Sequence, residues 1–198
     1  MIKATVKDKS LVIRILADSF DDNKSVNYIV KQDSQRIKRI EALMSYSFNI
    51  CLMFGEVYLS ENKQACALVL FPDRKKFTLK AFWLDLILVF KAIGIGRAGK
   101  AINRENLIKS KYPREPYYYL WFLGVFNSAQ NNGIGSQLLT ELIQDSQKQN
   151  RDIYLETSTL KNIPWYIKFN FRIYHEIDFG YKLYLLNLPQ RNTIVNPS

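Results

Sequence analysis

Between Leu123 and Ser136 an apolar strand, Leu123-Gly124-Val125-Phe126, runs through the polar turn Asn127-Ser128-Ala129-Gln130-Asn131-Asn132 into Gly133-Ile134-Gly135-Ser136 and an amphipathic helix. A strand, a glycine-bearing turn and a helix start in that order make an anion site. Glycine lets the backbone approach a ligand closely, and the first amides of a helix have no partner within it. The aligned peptide dipoles add partial positive charge at the same place, which favours phosphate or pyrophosphate. Gly124, inside the strand, suits either a bulge or close ligand approach, or is a small packing residue.

Two familiar phosphate sites fit less well. A dinucleotide turn would read G-x-G-x-x-G early in the chain with an acidic residue about 20 residues on. Here its first glycine is missing and the turn comes late. Gly94-Ile95-Gly96-Arg97-Ala98-Gly99-Lys100 spells most of a nucleotide-hydrolase phosphate loop, but Ala101 replaces the magnesium-binding hydroxyl and the preceding segment reads as helix. The spelling Gln130-x-x-Gly133-x-Gly135 instead resembles the signature of the GNAT superfamily of acyl-CoA N-acyltransferases. A second stretch agrees in order and spacing: Leu155-Glu156-Thr157-Ser158 ends a strand, Asn162-Ile163-Pro164-Trp165-Tyr166 starts a helix, and Phe171 follows a turn. Together with Arg114-Glu115-Pro116, these motifs are similar to puromycin N-acetyltransferase-like bacterial proteins. The likeness covers about residues 113–186. Asn170 departs from it by replacing the usual glycine before Phe171, a substitution that asparagine's tolerance of left-handed backbone accommodates.

The resemblance implies acetyl-CoA as cosubstrate, no metal, and direct acetyl transfer to a primary amine of a small molecule within a ternary complex. It implies that the backbone at Leu123, Gly124 and Val125 pairs with the pantetheine arm. Gln130, Asn131, Asn132, Gly133, Ile134, Gly135 and Ser136 would surround the pyrophosphate. Asn162 would contact the cofactor or cap its helix. Tyr166 would donate a proton to the leaving thiolate, a role open to a phenol of pKa about 10, or else be an aromatic core side chain. Glu156 would accept the amine proton, or else be a structural carboxylate held by backbone N–H groups or a basic side chain. The implied fold is a single mixed α/β domain over residues 1–190, with a central sheet of six to seven strands, flanking helices and a cleft between two splayed parallel strands. Residues 191–198 read as a loose tail.

The bulk properties agree with that frame. The chain has 198 residues, 47% of them hydrophobic, enough for a packed core. Met1-Ile2-Lys3-Ala4 lacks the apolar run of a secretory signal, and Lys80, Asp85 and Lys91 interrupt the most apolar region, so a cytoplasmic protein without a membrane span is expected. Cys51 and Cys66 read as buried free thiols, outside both motifs. One histidine, His175, cannot build a metal site alone. The net charge of +10 is concentrated between Arg74 and Arg114, which could attract nucleic acid, anionic lipid or a polyanionic cofactor, or be a solvated face. Two other functions stay open: a non-catalytic acyl-CoA-binding or sensing module, and an acetyltransferase recruited to protein or nucleic acid through that basic segment. Oligomeric state is not legible.

The elements that must position these residues follow from periodicity. Residues 2–6 read as a strand. Leu11, Val12, Ile15, Leu16 and Phe20 mark a helix over 9–20, and Ser34 would start another carrying Ile37, Ile40, Leu43, Met44 and Phe48. A hairpin joins 55–59 to 65–71. Residues 77–110 read as helical with a break at Gly94-Ile95-Gly96, and strand 117–125 leads into the glycine turn. Helix 133–149 packs Ile134, Leu138, Leu139, Leu142 and Ile143 on the sheet. A strand at 153–156, a helix at 162–169 and strands at 172–177 and 181–186 complete the order. Trp83, Tyr117, Tyr118, Tyr119 and Trp121 could line an apolar pocket or sit in the core.

Overall fold

The computed structural model describes residues 1–190, so the expected tail at 191–198 lies outside the described residues. Seven strands form one sheet: β1 (Ile2–Lys3), β2 (Gly55–Leu59), β3 (Ala65–Leu70), β4 (Tyr118–Val125), β5 (Ile153–Thr157), β6 (Arg172–Asp178) and β7 (Lys182–Leu188). Their spatial order is β1-β2-β3-β4-β5-β7-β6. All neighbours are antiparallel except β4 and β5. The mixed α/β architecture expected from the motifs is therefore present.

Helices cover both faces. On one side α1 (Lys9–Ser19), α3 (Arg36–Phe54) and α4 (Leu79–Leu88) bury Val12, Ile15, Leu16, Met44, Phe48 and Cys51 against Leu59, Leu68 and Phe122. On the other side α6 (Ile134–Lys148) and α7 (Ile163–Lys168) cover Tyr118, Leu120 and Leu155. Leu138, Leu139 and Leu142 of α6 are fully buried there, each such side chain contributing about 1.5–3 kcal/mol of transfer free energy. Tyr58 and Tyr118 both donate to Asp145 Oδ2, at 2.9 and 3.0 Å, so α6 is also tied to two strands by hydrogen bonds. The other α-helices among the described residues are the short α2 (Lys24–Ile29) and α5 (Ala98–Lys109).

Most expected boundaries agree within a few residues, and the differences have physical reasons. The first strand ends at Lys3, because Val6–Asp8 turns as a 3₁₀ segment held by Asp8 on the Thr5 amide at 2.8 Å. The polar run after α1 is no simple turn: Asn23 Oδ1 accepts from the Ser25 and Val26 amides and starts α2. The third helix begins at Arg36 and runs to Phe54, and Ile37 is exposed rather than core-facing. The break in 77–110 falls at Gly94, whose φ is +84°, after a π-helical turn at Val89–Ile93. Cys51 and Cys66 are buried free thiols, and burial raises both thiols well above their ordinary range. His175 lies in β6, as expected.

Gly55 has a reason the sequence did not show. A Cβ there would lie 2.0 Å from the Val69 carbonyl oxygen, where α3 passes directly into β2 beside β3. Gly55→Ala is expected to cost about 1–3 kcal/mol, seen as a lower urea midpoint with an unchanged slope.

Candidate active site

The parallel pair β4 and β5 is in register only at Tyr118 with Ile153 and Tyr119 with Tyr154. Beyond that point the strands separate. A bulge in β4 contributes to the divergence: β3 steps from Leu68 opposite Phe122 to Val69 opposite Leu120, leaving Trp121 as the extra residue. Bulges bend a strand and increase its twist. From Leu120 to Val125 the edge of β4 that faces β5 has no strand partner.

The gap joins the two sides of the sheet in one cavity of about 560 Å³. Its walls include Tyr119, Trp121 and Glu156 from one face and Leu120 and Tyr166 from the other. Glu156, on β5, accepts a hydrogen bond from Tyr112 Oη at 2.6 Å and from Tyr119 Oη at 2.9 Å. Of the two structural alternatives, neither backbone amides nor a basic side chain hydrogen-bonds it among the described residues; two phenols do. Burial raises its carboxyl above the ordinary range, opposed by the Tyr112 and Tyr119 hydrogen bonds and the Arg104 charge. The same burial, with the Glu156 charge, pushes Tyr112 and Tyr119 well above an ordinary phenol, so both remain donors.

Tyr166 sits on α7 with 8% of its surface exposed. Trp165 packs beside it at 4.7 Å between ring centroids, and Phe171 at 5.5 Å. Its hydroxyl makes no hydrogen bond among the described residues, and burial raises it above an ordinary phenol, so it keeps its proton. Asn162 stands at the N-cap position of α7 without making a capping bond; its side chain lines the cavity. Asn170 adopts φ +65°, so the turn before Phe171 tolerates the missing glycine.

The glycine turn is built as the sequence suggested. Gly133 has φ +76° and α6 has no side-chain cap; the first helical bond, Gln137 N–H to the Gly133 carbonyl at 2.9 Å, leaves the amides of Ile134, Gly135 and Ser136 ahead of it. A Cβ on Gly135 would lie 3.3 Å from Val125 Cγ2, so glycine there lets the helix start close to β4. Trp165 Nε1 donates to Ser136 Oγ at 2.9 Å, linking α7 to this helix start. Gln130 is folded back, donating to Asn127 Oδ1 at 2.8 Å, while Asn131, Asn132 and Gly133 are exposed. These turn residues lie outside the cavity wall, alongside the unpaired edge of β4. An uncapped helix start next to an unpaired strand edge fits a ligand with an anionic end and an amide-bearing arm. Gly124 is explained by packing: a Cβ would meet Leu16 Cδ2 at 3.0 Å and Ser19 Cβ at 3.3 Å, and the bulge lies at Trp121, three residues earlier.

Several site residues had no motif to announce them. Tyr112, in the loop before β4, stacks on Tyr117 at 5.1 Å and holds Glu156. Arg104, 6% exposed, lines the cavity and donates to Tyr181 Oη at 3.1 Å and to Ser25 Oγ. Ser158 Oγ accepts from the Ser25 amide at 3.3 Å, docking the start of α2 onto the end of β5. Of the five candidate aromatics, Tyr117, Tyr119 and Trp121 line the cavity. Tyr118 points into the opposite core and Trp83 is exposed outside the wall. Among the described residues no three of His, Cys, Asp and Glu are placed to hold a metal ion.

Residues 87–171, spanning the unpaired strand edge, glycine turn and Tyr166, match the model of the acetyltransferase (GNAT) family. That segment is similar to acetyltransferases of the GNAT class, which take acetyl-CoA as cosubstrate. Similar solved structures agree on the fold. A histone acetyltransferase HPA2 and related acetyltransferase from Corynebacterium glutamicum is 16% identical, covering 98% of this chain and 97% of its own, with a TM-score of 0.69. An N-acetyltransferase from Staphylococcus aureus Mu50 is 16% identical over 93% of this chain and 97% of its own, TM-score 0.55. A mosquito arylalkylamine N-acetyltransferase like 5b is 12% identical over 94% of this chain and 97% of its own, TM-score 0.54. The motif likeness to puromycin N-acetyltransferases concerns the acceptor, and neither the family match nor the fold bears on it.

Glu156 ionises against burial, so its contribution to stability is full below the unfolded carboxyl pKa and fades as pH rises through the higher folded value. Tyr112→Phe removes a donor to the carboxylate. The Glu156 carboxyl should then titrate at a higher pH, followed by carbon-13 NMR of labelled glutamate. An unmoved titration would show that Tyr112 does not support the charge.

Proposed function

We propose that the protein acetylates the amine of a small molecule with an apolar body, with Glu156 and Tyr166 as the proton-handling pair. The observation that carries this reading is that a carboxylate with a raised pKa and a free, protonated phenol line one cavity, which opens where β4 and β5 part. Acetyl-CoA, when bound, supplies the activated acetyl group as a thioester.

This chain's residues then have separable tasks. The amides of Ile134, Gly135 and Ser136, with the turn from Gln130 to Gly133, hold the anionic end of the cosubstrate. The free edge of β4 at Leu123, Gly124 and Val125 aligns its amide-bearing arm, and Asn162 supports it from α7. Tyr119, Trp121 and Leu43 give the acceptor an apolar wall that excludes water. An ammonium has no lone pair to attack with, so the acceptor must lose a proton. Glu156 takes that proton, its basicity strengthened by burial and its orientation fixed by Tyr112 and Tyr119. Tyr166 holds its own proton at Oη over the cavity, available to a departing thiolate.

Release of free thiol from acetyl-CoA should be measured over a panel of amines graded from polar to aromatic. Glu156→Gln and Tyr166→Phe should each lower kcat by about 10²–10⁴-fold while calorimetry shows acetyl-CoA binding unchanged. The wild-type rate should rise with pH through a value above the ordinary carboxyl range, and this limb should vanish in Glu156→Gln. Gly133→Val, which strains the positive φ, should weaken acetyl-CoA binding by about tenfold or more. Turnover of no amine alongside tight acetyl-CoA binding would favour a sensing module instead.

A further inference from the structure

α4 carries an unusual distribution of apolar side chains. Its sequence is Leu-Lys-Ala-Phe-Trp-Leu-Asp-Leu-Ile-Leu, yet Ala81 is its one buried residue. Leu84 and Leu88 pack partly on the core below. The opposite side of the helix is also apolar. Phe77, just before α4, is 80% exposed, Leu79 72%, Trp83 62% and Phe90 61%, with Phe82 and Ile87 exposed between them. Phe77 and Phe82 lie 6.5 Å apart between centroids, and Phe82 and Trp83 6.3 Å, so the aromatic part is contiguous. Scattered exposed leucines need no explanation, but a contiguous aromatic and aliphatic face marks an interaction surface.

The charges around that face select its partner. Several basic residues of the 74–114 segment serve the fold. Arg74 lies over the Phe71 ring, Lys100 over Tyr28, Arg97 donates to the Tyr28 carbonyl, Arg104 is buried, and Lys109 pairs with Glu105. Lys75, Lys76, Lys80 and Lys91 make no ion pair among the described residues and all four are exposed; Lys75 also lines the cavity, while Lys76, Lys80 and Lys91 flank the apolar face in sequence. Asp85 is the one acid within α4 and accepts from Tyr46 on the cavity side. An apolar helix face with aromatic side chains and flanking free lysines is the composition of a helix lying in a membrane interface. Lysines can extend past the apolar layer to the headgroups.

We infer that α4, with Phe77 and Phe90 at its ends, docks this protein on an anionic phospholipid bilayer. The helix lies along the surface, with Trp83 and its neighbours in the headgroup–acyl boundary and Lys76, Lys80 and Lys91 on lipid phosphates. A second copy laid face to face would set two rims of unpaired lysines against each other. Nucleic acid would satisfy the lysines but leave the apolar face against hydrated phosphates. The attachment is peripheral, since no helix among the described residues is long and apolar enough to cross a membrane. It is independent of the acetyl-transfer chemistry, although the other side of α4 forms part of the cavity wall through Asp85 and Leu88.

Cosedimentation of the full chain with vesicles tests this, comparing phosphatidylcholine alone with phosphatidylcholine containing phosphatidylglycerol. The protein should sediment with the anionic vesicles and remain in solution with the neutral ones. Phe77→Ser with Trp83→Ser should reduce binding at least about tenfold, and Lys76→Glu with Lys80→Glu should do likewise. These residues lie outside the cavity wall, so circular dichroism and thiol release in the absence of lipid should be unchanged. Binding equal for wild type and both variants would overturn the inference, as would absence from anionic vesicles. So would either alternative partner observed in place of vesicle binding: self-association abolished by Trp83→Ser, or salt-dependent RNA or DNA retention abolished by Lys76→Glu with Lys80→Glu.

Discussion

The parting of β4 from β5 after two registered residues is the constraint on which the rest depends. A sheet kept closed there would bury Glu156 and Tyr166 in separate cores, one on each face. Opening it costs the main-chain hydrogen bonds that strands would otherwise share, and unpaired backbone groups are costly unless something else satisfies them. The bulge at Trp121 directs the divergence from one side. Ser158 and Asn23 secure it from the other by docking α2 on the end of β5. The cleft is therefore held open by bonded structure on both sides.

Within the cleft, polar groups are arranged so that each carries one protonation state. Glu156 is the acceptor among donors, surrounded by Tyr112, Tyr117, Tyr119 and Tyr154, whose ring centroids mostly lie between 5.1 and 5.7 Å apart. Such a ring cluster supplies low polarity without losing hydrogen-bond donors, since each ring has an apolar body and a polar tip. Tyr166 is the complementary case, a phenol whose hydroxyl has no hydrogen-bond partner among the described residues, kept neutral by burial. Two groups driven in the same direction by burial have opposite consequences: one becomes a better base and the other a more secure proton store.

Sequence reading captured the elements well wherever a single periodicity ruled. The spacing of Leu138, Leu139 and Leu142, the 55–70 hairpin and the glycine turn all show one dominant pattern. It also singled out Glu156 and Tyr166, because both lie in a motif of fixed spacing. Tyr112 escaped notice and Arg104 was read only as part of the basic 74–114 segment, because their partners are 44 and 77 residues away in the chain. Gly55 was unreadable for the same reason, being required by a carbonyl on a neighbouring strand. The basic segment misled in a different way. Its charge sum suggested one surface, whereas the structure buries Arg104, sets Arg74 and Lys100 over aromatic rings, and leaves several lysines without an ion pair among the described residues.

Asp145, near the end of α6, has a consequence for residues a full helix length away. With Tyr58 and Tyr118 both bound to one carboxylate oxygen, α6 can neither roll about its axis nor slide along the sheet without breaking two bonds. A rod indexed at its tail has a fixed aim at its head. The direction in which Ile134, Gly135 and Ser136 present their amides is thus set from the far end of the helix.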